Sequence, residues 1–389
     1  MGGGNPSNTI ASEGDKEDND DGYVEVSDPD SSSSTVHESR GPEQARRDRA
    51  HDEVLQLYSS MQVRIGTRSV AKDRIRRYKP GDWIEGVGGT ARSDYEIPDT
   101  TTLLIIGPEG SGKSSLVNRI SRAFEDDASA PDRAQVAYNW SVGMGTHYFK
   151  EYMIPRGSSA FCVYDTRGLS NDRSENLGLI KKWMTEGVRH GDLDLRSSDL
   201  SGEMRVRKTA SQIGGRYRKR AVNFVIFVVD MTSVLKSMDA RDKCYTDLVA
   251  DAFSSPFLSF KDDKPVIVLT HGDELSRFDR ARVRIHLGEV LGVPPTKQFF
   301  EIPDTDDWST DLAIVEMLRH CLERADRNLP LKKTSPLEMW KTLDRAHSFE
   351  AWVLLLEVCL LCFTYMMIIS KNPREKHVDW HSIRHLWLG

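Results

Sequence analysis

The run Gly107-Pro108-Glu109-Gly110-Ser111-Gly112-Lys113-Ser114 sets three glycines, a lysine and a serine at the spacing that cradles phosphate. Glycines at 107, 110 and 112 let backbone N–H groups turn toward one point, where phosphate oxygens can accept from them. Lys113 adds a cation within reach of β- and γ-phosphates, and Ser114 adds a hydroxyl for Mg²⁺. Ser111 and Ser115 flank this pair and complete the candidate phosphate-binding set. A helix expected from Ser114 to Phe124 would contribute the partial positive charge of its N-terminus. An ordinary glycine turn would explain the bends but not the Lys-Ser pair.

Two further clusters follow apolar stretches. Asp165-Thr166-Arg167-Gly168 comes directly after Ala160–Tyr164. An Asp at the end of such a strand can hold the hydration shell of Mg²⁺, and Gly168 can turn its N–H toward a terminal phosphate. Thr270-His271-Gly272-Asp273 comes after Pro265–Leu269. This run resembles the guanine-reading motif of GTPases, which implies that the Asp273 carboxylate accepts from the N1 and N2 groups of guanine, hydrogens that adenine lacks; the competing reading is a turn Asp that caps the next helix.

Elements that would position these residues are legible around them. Short apolar runs at Leu103–Ile106, Tyr148–Ile154, Ala160–Tyr164, Val222–Val229, Pro265–Leu269 and Phe299–Ile302 read as strands. Helical spacing fits Leu177–Thr185, Asp242–Asp251, Asp279–Leu291 and Asp311–Arg324. Apolar strands alternating with amphipathic helices predict an α/β fold of three layers, with a mostly parallel sheet covered on both faces. Residues 43–98 read as a helical extension, with Val54, Leu55, Tyr58 and Met61 at helical spacing and Pro80-Gly81 as its end.

Together the three motifs resemble the P-loop GTPase superfamily, in its translation-factor-related class, over about residues 99–328. Gly107–Asn118 and Asp-Thr-Arg-Gly-Leu (165–169) look like the branch of septins, dynamin-related proteins and immune-associated GTPases. The resemblance implies GTP or GDP as ligand, Mg²⁺ held by Ser114, Asp165 and a threonine, and a G-domain-like sheet. Thr146 is the candidate for that threonine, with Ser141 as the alternative, and Lys113 and Thr146 are the candidates for catalysis. Two departures stand out. His271 occupies the place of the family's lysine, and Pro303-Asp304-Thr305 stands where a Ser-Ala-Lys base-contacting motif is expected. Leu169 stands where Ras-type members carry a water-orienting glutamine, which implies slow intrinsic hydrolysis. Homodimerisation through this domain is left open.

Composition adds the flanks. The chain has 389 residues and a net charge of −6, yet residues 1–39 alone carry −9, which leaves a mildly basic body. Residues 1–42 are too poor in apolar side chains to offset their chain entropy and read as a disordered acidic tail. The five scattered cysteines fit reduced thiols better than a disulfide framework. Residues 188–220 read as an insertion whose part from Arg205 to Arg220 holds seven bases and no acid. Three readings stand for it: a solvated loop, a contact with anionic lipid, and, ranked last, a nucleic-acid patch.

Past a linker at 329–350, Ala351–Ile369 is nineteen residues with one charge, Glu357. That length of helix spans about 28 Å, near the thickness of a bilayer core. The expectation is a C-terminal transmembrane helix followed by a short amphipathic tail at 370–389, in which Trp380, Ile383 and Trp387 share a face. His377, His381 and His385 share helical spacing too, and a solvated or interfacial role outweighs metal binding. The whole reads as a tail-anchored, cytosol-facing GTPase on an intracellular membrane. The rival readings are a membrane-tethered scaffold that has lost nucleotide binding, and an ATP-using P-loop kinase or ATPase.

Overall fold

The computed structural model describes residues 42–61, 68–86, 89–125, 131–135, 148–192, 217–240, 242–261, 263–305, 307–332 and 349–371. The chain divides into two units, Met1–Arg46 and Arg47–Gly389; of the first, residues 42–46 are described and are helical. Helix α1 is Pro42–Met61 and α2 is Arg68–Arg76. The described part of the extension is thus helical over 42–61 and 68–76, and residues 62–67 lie outside the described residues. Alternation then begins with β1 (Thr101–Ile106), α3 (Lys113–Phe124), β2 (Lys150–Ile154), β3 (Phe161–Asp165) and α4 (Arg173–Glu186). It continues with β4 (Phe224–Asp230), α5 (Met231–Asp239), α6 (Cys244–Phe253), β5 (Val266–Thr270), α7 (Arg277–Leu291), β6 (Phe299–Glu301) and α8 (Trp308–Arg327).

Among the described residues the six strands form one mixed sheet in the order β2-β3-β1-β4-β5-β6. Only β2 runs antiparallel, paired with β3 through Lys150–Asp165 to Ile154–Phe161. Every residue of β1, β3, β4 and β5 is buried. Runs that are apolar throughout are what a sheet covered on both faces requires. Successive side chains then feed opposite layers. Leu103, Ile105, Ile226 and Val268 join a core with Leu116, Ile120, Leu318 and Leu322 of α3 and α8. Leu104, Ile106, Phe227 and Leu269 join a second core with Ile180, Trp183, Phe253 and Leu287 of α4, α6 and α7. The three-layer α/β expectation is therefore met, with an antiparallel edge strand.

From β1 the chain builds first toward β3 and then, through β4, to the other side. That reversal makes the carboxyl end of β1 a topological switch point, where open α/β sheets leave a crevice. The loop 107–112 sits there. Strand ends also carry caps: Asp230 closes β4 and caps α5, accepting from the backbone N–H groups of Thr232 (3.0 Å) and Ser233 (3.3 Å). Helix α5 has no counterpart in the sequence reading, because it follows β4 without a break and the apolar run conceals the change of period.

The excursion between α4 and β4 is pinched at its neck. Val188 and Arg220 exchange both backbone hydrogen bonds (2.9 and 2.8 Å). Gly187 is required there, since a Cβ would stand 2.3 Å from Arg220 O. The described bases of the stretch are committed to ion pairs: Arg218 with Asp99 (2.7 Å), Lys219 with Glu186 (3.4 Å) and Arg220 with Glu151 (2.7 Å). The acidic tail, residues 205–216 and the histidines of 377–385 lie outside the described residues.

Helix α9 (Phe349–Lys371) has 23 residues. Its described side chains, 355–368, are all exposed. Among the described residues no helix is long and apolar enough to cross a membrane. The span expected over Ala351–Ile369 is therefore not supported among the described residues.

Candidate functional site

The phosphate loop is held open by backbone geometry. Gly110 and Gly112 have φ of 77° and 82°, a region that costs an L-residue heavily but glycine little. Gly112 is the N-cap of α3, so the loop ends where the helix N–H groups begin. Gly107 admits no side chain, since a Cβ would lie 2.2 Å from Val228 O on the neighbouring strand. Lys113 is buried, and its Nζ donates to Pro108 O at 2.8 Å, so the ammonium bridges the mouth of the loop. The Ser111 hydroxyl is buried without a hydrogen-bond partner in the structure.

Asp165 at the end of β3 and Ser114 at the start of α3 meet, Ser114 Oγ donating to Asp165 Oδ2 at 2.7 Å. The β1–β3 register, Ile105 opposite Asp165, brings the two together. Hard oxygen donors of this kind, few in number and beside a phosphate loop, fit Mg²⁺, which keeps most of its ligands as water and phosphate. Thr146, the expected third oxygen, and Ser141 lie outside the described residues, as does everything from 136 to 147.

The 165–169 segment is welded to the phosphate loop. Leu169 N donates to Gly107 O (3.0 Å) and Glu109 N to Leu169 O (3.2 Å). Gly168 lies so close that a Cβ would stand 2.4 Å from Glu109 Cα. Any larger residue would force the two loops apart, so a ligand gripped by one is felt by the other. Leu169 is buried, its side chain turned into the core that α4 covers.

The third motif reaches the same place from β5. Thr270 Oγ1 donates to Ser111 O at 2.9 Å, and its methyl packs where a Cβ on Gly112 would sit. His271 adopts a left-handed backbone (φ 55°), which swings Gly272 and Asp273 into a short 3₁₀ turn. Its Nδ1 lies 3.0 Å from Asp230 Oδ1. The hydrogen bond to Asp230 raises the His271 pKa above its ordinary value, against the opposing effect of burial. Burial disfavours the Asp230 charge, yet hydrogen bonds from His271, Ser233 and Thr232 outweigh it and hold that carboxyl below the usual range. Asp273 is exposed and accepts from Asp304 N–H at 3.2 Å.

Gly112, Ser115, Arg119, Thr270, His271 and Asp304 help line an open cleft of about 350 Å³, solvent space included. The structure thus brings Lys113, Ser114, Asp165, Gly168, Thr270, His271 and Asp273 to one end of the sheet. Sequence reasoning missed Asp230, Arg119 and Asp304 as parts of this constellation. The Asp-Met-Thr-Ser run at 230–233 is a helix-cap signature that could have flagged Asp230; nothing local points from Arg119 to Asp304. Among the described residues no group of three or more His, Cys, Asp or Glu side chains could hold a metal.

No protein-family model and no curated protein matches the chain. Solved structures do. A probable GTP-binding protein engB matches with a TM-score of 0.32 and 14% identity, over 58% of this chain and 99% of that one. The Arl6 BBS3 small GTPase from Trypanosoma brucei, with bound GppNp, matches at 0.31 and 14%, over 59% and 99%. The signal recognition particle receptor SRb from Chaetomium thermophilum, with GDP and Mg, is similar at 0.27 and 15%, over 50% and 73%.

Proposed function

We propose that the chain is a guanine-nucleotide switch that binds GTP and GDP with Mg²⁺, hydrolyses GTP slowly, and is attached to a membrane through α9. The observation that carries the nucleotide reading is the Thr270 Oγ1–Ser111 O bond of 2.9 Å. It ties the turn bearing Asp273 to the phosphate loop, so that a carboxylate suited to a purine edge and a lysine suited to phosphates serve one molecule. Ser114 and Asp165 would hold Mg²⁺, which neutralises charge on bridging phosphate oxygens when bound. Lys113 leaves Pro108 O for the phosphates, and the N-terminus of α3 adds its dipole. The Gly168–Glu109 contact transmits what the phosphate loop holds to the 165–172 segment. With Leu169 buried in the core, no side chain at that position orients water, and a partner or second copy is needed for fast turnover.

Membrane attachment rests on α9, whose described side chains are apolar almost throughout and exposed. Lipid contact by 205–220 and homodimerisation are proposals of lower rank. An ATP-using kinase would place an Arg-rich lid over the phosphates, and Arg218, Lys219 and Arg220 instead pair with Asp99, Glu186 and Glu151. One observation favours a scaffold without nucleotide: His271 turns to Asp230, and no lysine stem is present to lie against a base.

Titration of the full chain with fluorescent GTP and ATP in Mg²⁺ separates these readings. GTP binding in the micromolar range or tighter, with ATP weaker by about ten-fold or more and Lys113→Ala weaker by about a hundred-fold, is the expected result. Equal affinity of Lys113→Ala and wild type would remove the phosphate-loop assignment. No binding of either nucleotide would leave the scaffold.

A further inference from the structure

Arg119 lies on α3 six residues beyond Lys113, and its side chain is only 9% exposed. It does not follow its neighbours into the core. Its Nε donates to Asp304 Oδ1 at 3.1 Å, a terminal nitrogen donates to the same oxygen, and the other terminal nitrogen donates to Thr305 O. Taking a guanidinium out of water is costly unless its donors are satisfied by well-placed acceptors. Here two acceptors, Asp304 Oδ1 and Thr305 O, take three of its bonds, and both belong to the loop that follows β6. Asp304, by contrast, has a side chain that is 75% exposed.

The loop so held carries a second feature. Asp304, which lines the cleft, donates its N–H to Asp273 Oδ1 at 3.2 Å, so a donor and an acceptor engage each other there and a base that takes both exchanges this contact for its own. A purine that offers N1–H beside a 6-oxo group complements that pair; adenine, with a bare N1 and a 6-amino group, opposes it. The donor is a backbone group on a loop, and a loop's discrimination is only as good as its placement.

We propose that Arg119 is a positioning residue for the base subsite: from the helix that opens at the phosphate loop, it fixes residues 303–305 so that Asp304 N–H and the Asp273 carboxylate meet a 6-oxopurine together. The inference rests on the guanine reading above. It gives the chain a substitute for the missing Ser-Ala-Lys motif, in which the loop is held by a side chain from α3 rather than by its own sequence.

The test measures Kd for GDP, IDP and ADP, with inorganic pyrophosphate as a competitor, on the full chain carrying Arg119→Met, Arg119→Lys or Asp304→Ala. Arg119→Met is expected to lower the GDP-over-ADP preference by about ten-fold or more, the scale of a lost hydrogen bond to a charged partner. Pyrophosphate competition should be unchanged, which a general loss of fold would not allow. Arg119→Lys keeps the charge without the fork and should restore part of the preference. Asp304→Ala changes an exposed side chain, breaks the same clamp from its other end, and should reproduce the Arg119→Met ratio. Full wild-type preference in both Arg119→Met and Asp304→Ala overturns the positioning role. A wild-type chain with pyrophosphate-competable binding but no guanine preference overturns the guanine reading instead.

Discussion

His271 and Asp230 approach to 3.0 Å at the inner rim of the cleft, and the charge on that pair depends on pH. His271 gains its hydrogen bond from Asp230 in the fold, so its pKa lies above the ordinary 6.5. The stability it contributes is complete below 6.5 and is lost as pH rises through the higher folded value. Asp230 works in the opposite sense. Its pKa is depressed below 3.8, so its contribution is present above that value and is lost as pH falls through the lower folded one. Between those limits the pair is an imidazolium–carboxylate. A thermal melt followed across pH should show wild type losing stability relative to His271→Gln as pH climbs past 6.5. Parallel curves for the two proteins would mean that the pair is not charged at any pH in this range. The pair also shows where the sequence stopped being informative. The run Gly107–Ser114 is contiguous, so its chemistry is readable in a line. His271 and Asp230 are 41 residues apart, joined by the β4–β5 register, and Arg119 and Asp304 are 185 apart, joined through the sheet from β1 to β6.

Helix α1 touches the site through one glutamate. Glu301, at the end of β6, receives the Tyr58 hydroxyl from α1, a guanidinium nitrogen of Arg284 at 3.0 Å and two nitrogens of Arg280. Arg280 and Glu301 in turn lie under Gly272, within 3.6 and 3.8 Å of where its Cβ would be. The ring of Tyr58 is faced by Arg277, Arg280 and Arg284, with centroids 5.0–5.9 Å away. Burial first, and the Glu301 charge second, push the Tyr58 pKa upward, so the hydroxyl stays protonated and donates. The helical spacing of Val54, Tyr58 and Met61 is visible in sequence, but not the partner that Tyr58 finds. Tyr58→Phe should lower stability by about 1–2 kcal/mol, the cost of leaving one buried acceptor short of a donor. Tyr58→Ala should cost more, because the stacked guanidinium groups lose their platform. Urea melts measure both, and an unchanged midpoint for Tyr58→Ala would mean that α1 is not seated on this cluster in solution.

The chain combines an α/β domain with two buried cores and a helix, α9, whose described apolar side chains are all exposed. In α9 the exposures reach 67% at Leu361 and Met366 and 61% at Leu356, and Glu357 is the one charge between 355 and 368. Each such side chain gains about 1.5–3 kcal/mol on leaving water, so a fully wetted α9 would be costly. A cover is required, and its geometry is constrained. Coiled-coil pairing would ask for an apolar stripe with a polar reverse, whereas Leu355, Leu356, Val358, Leu360, Leu361 and Phe363 surround the axis. A lipid phase covers a cylinder from every side. Flotation with liposomes should therefore carry the full chain upward and leave a chain lacking residues 349–389 at the bottom of the gradient. If the shortened chain still floats, attachment lies elsewhere, and the bases of 205–220 become the next to replace. If the full chain stays down and sediments as a defined dimer that dissociates on the same truncation, α9 is covered by a second copy and the membrane reading falls.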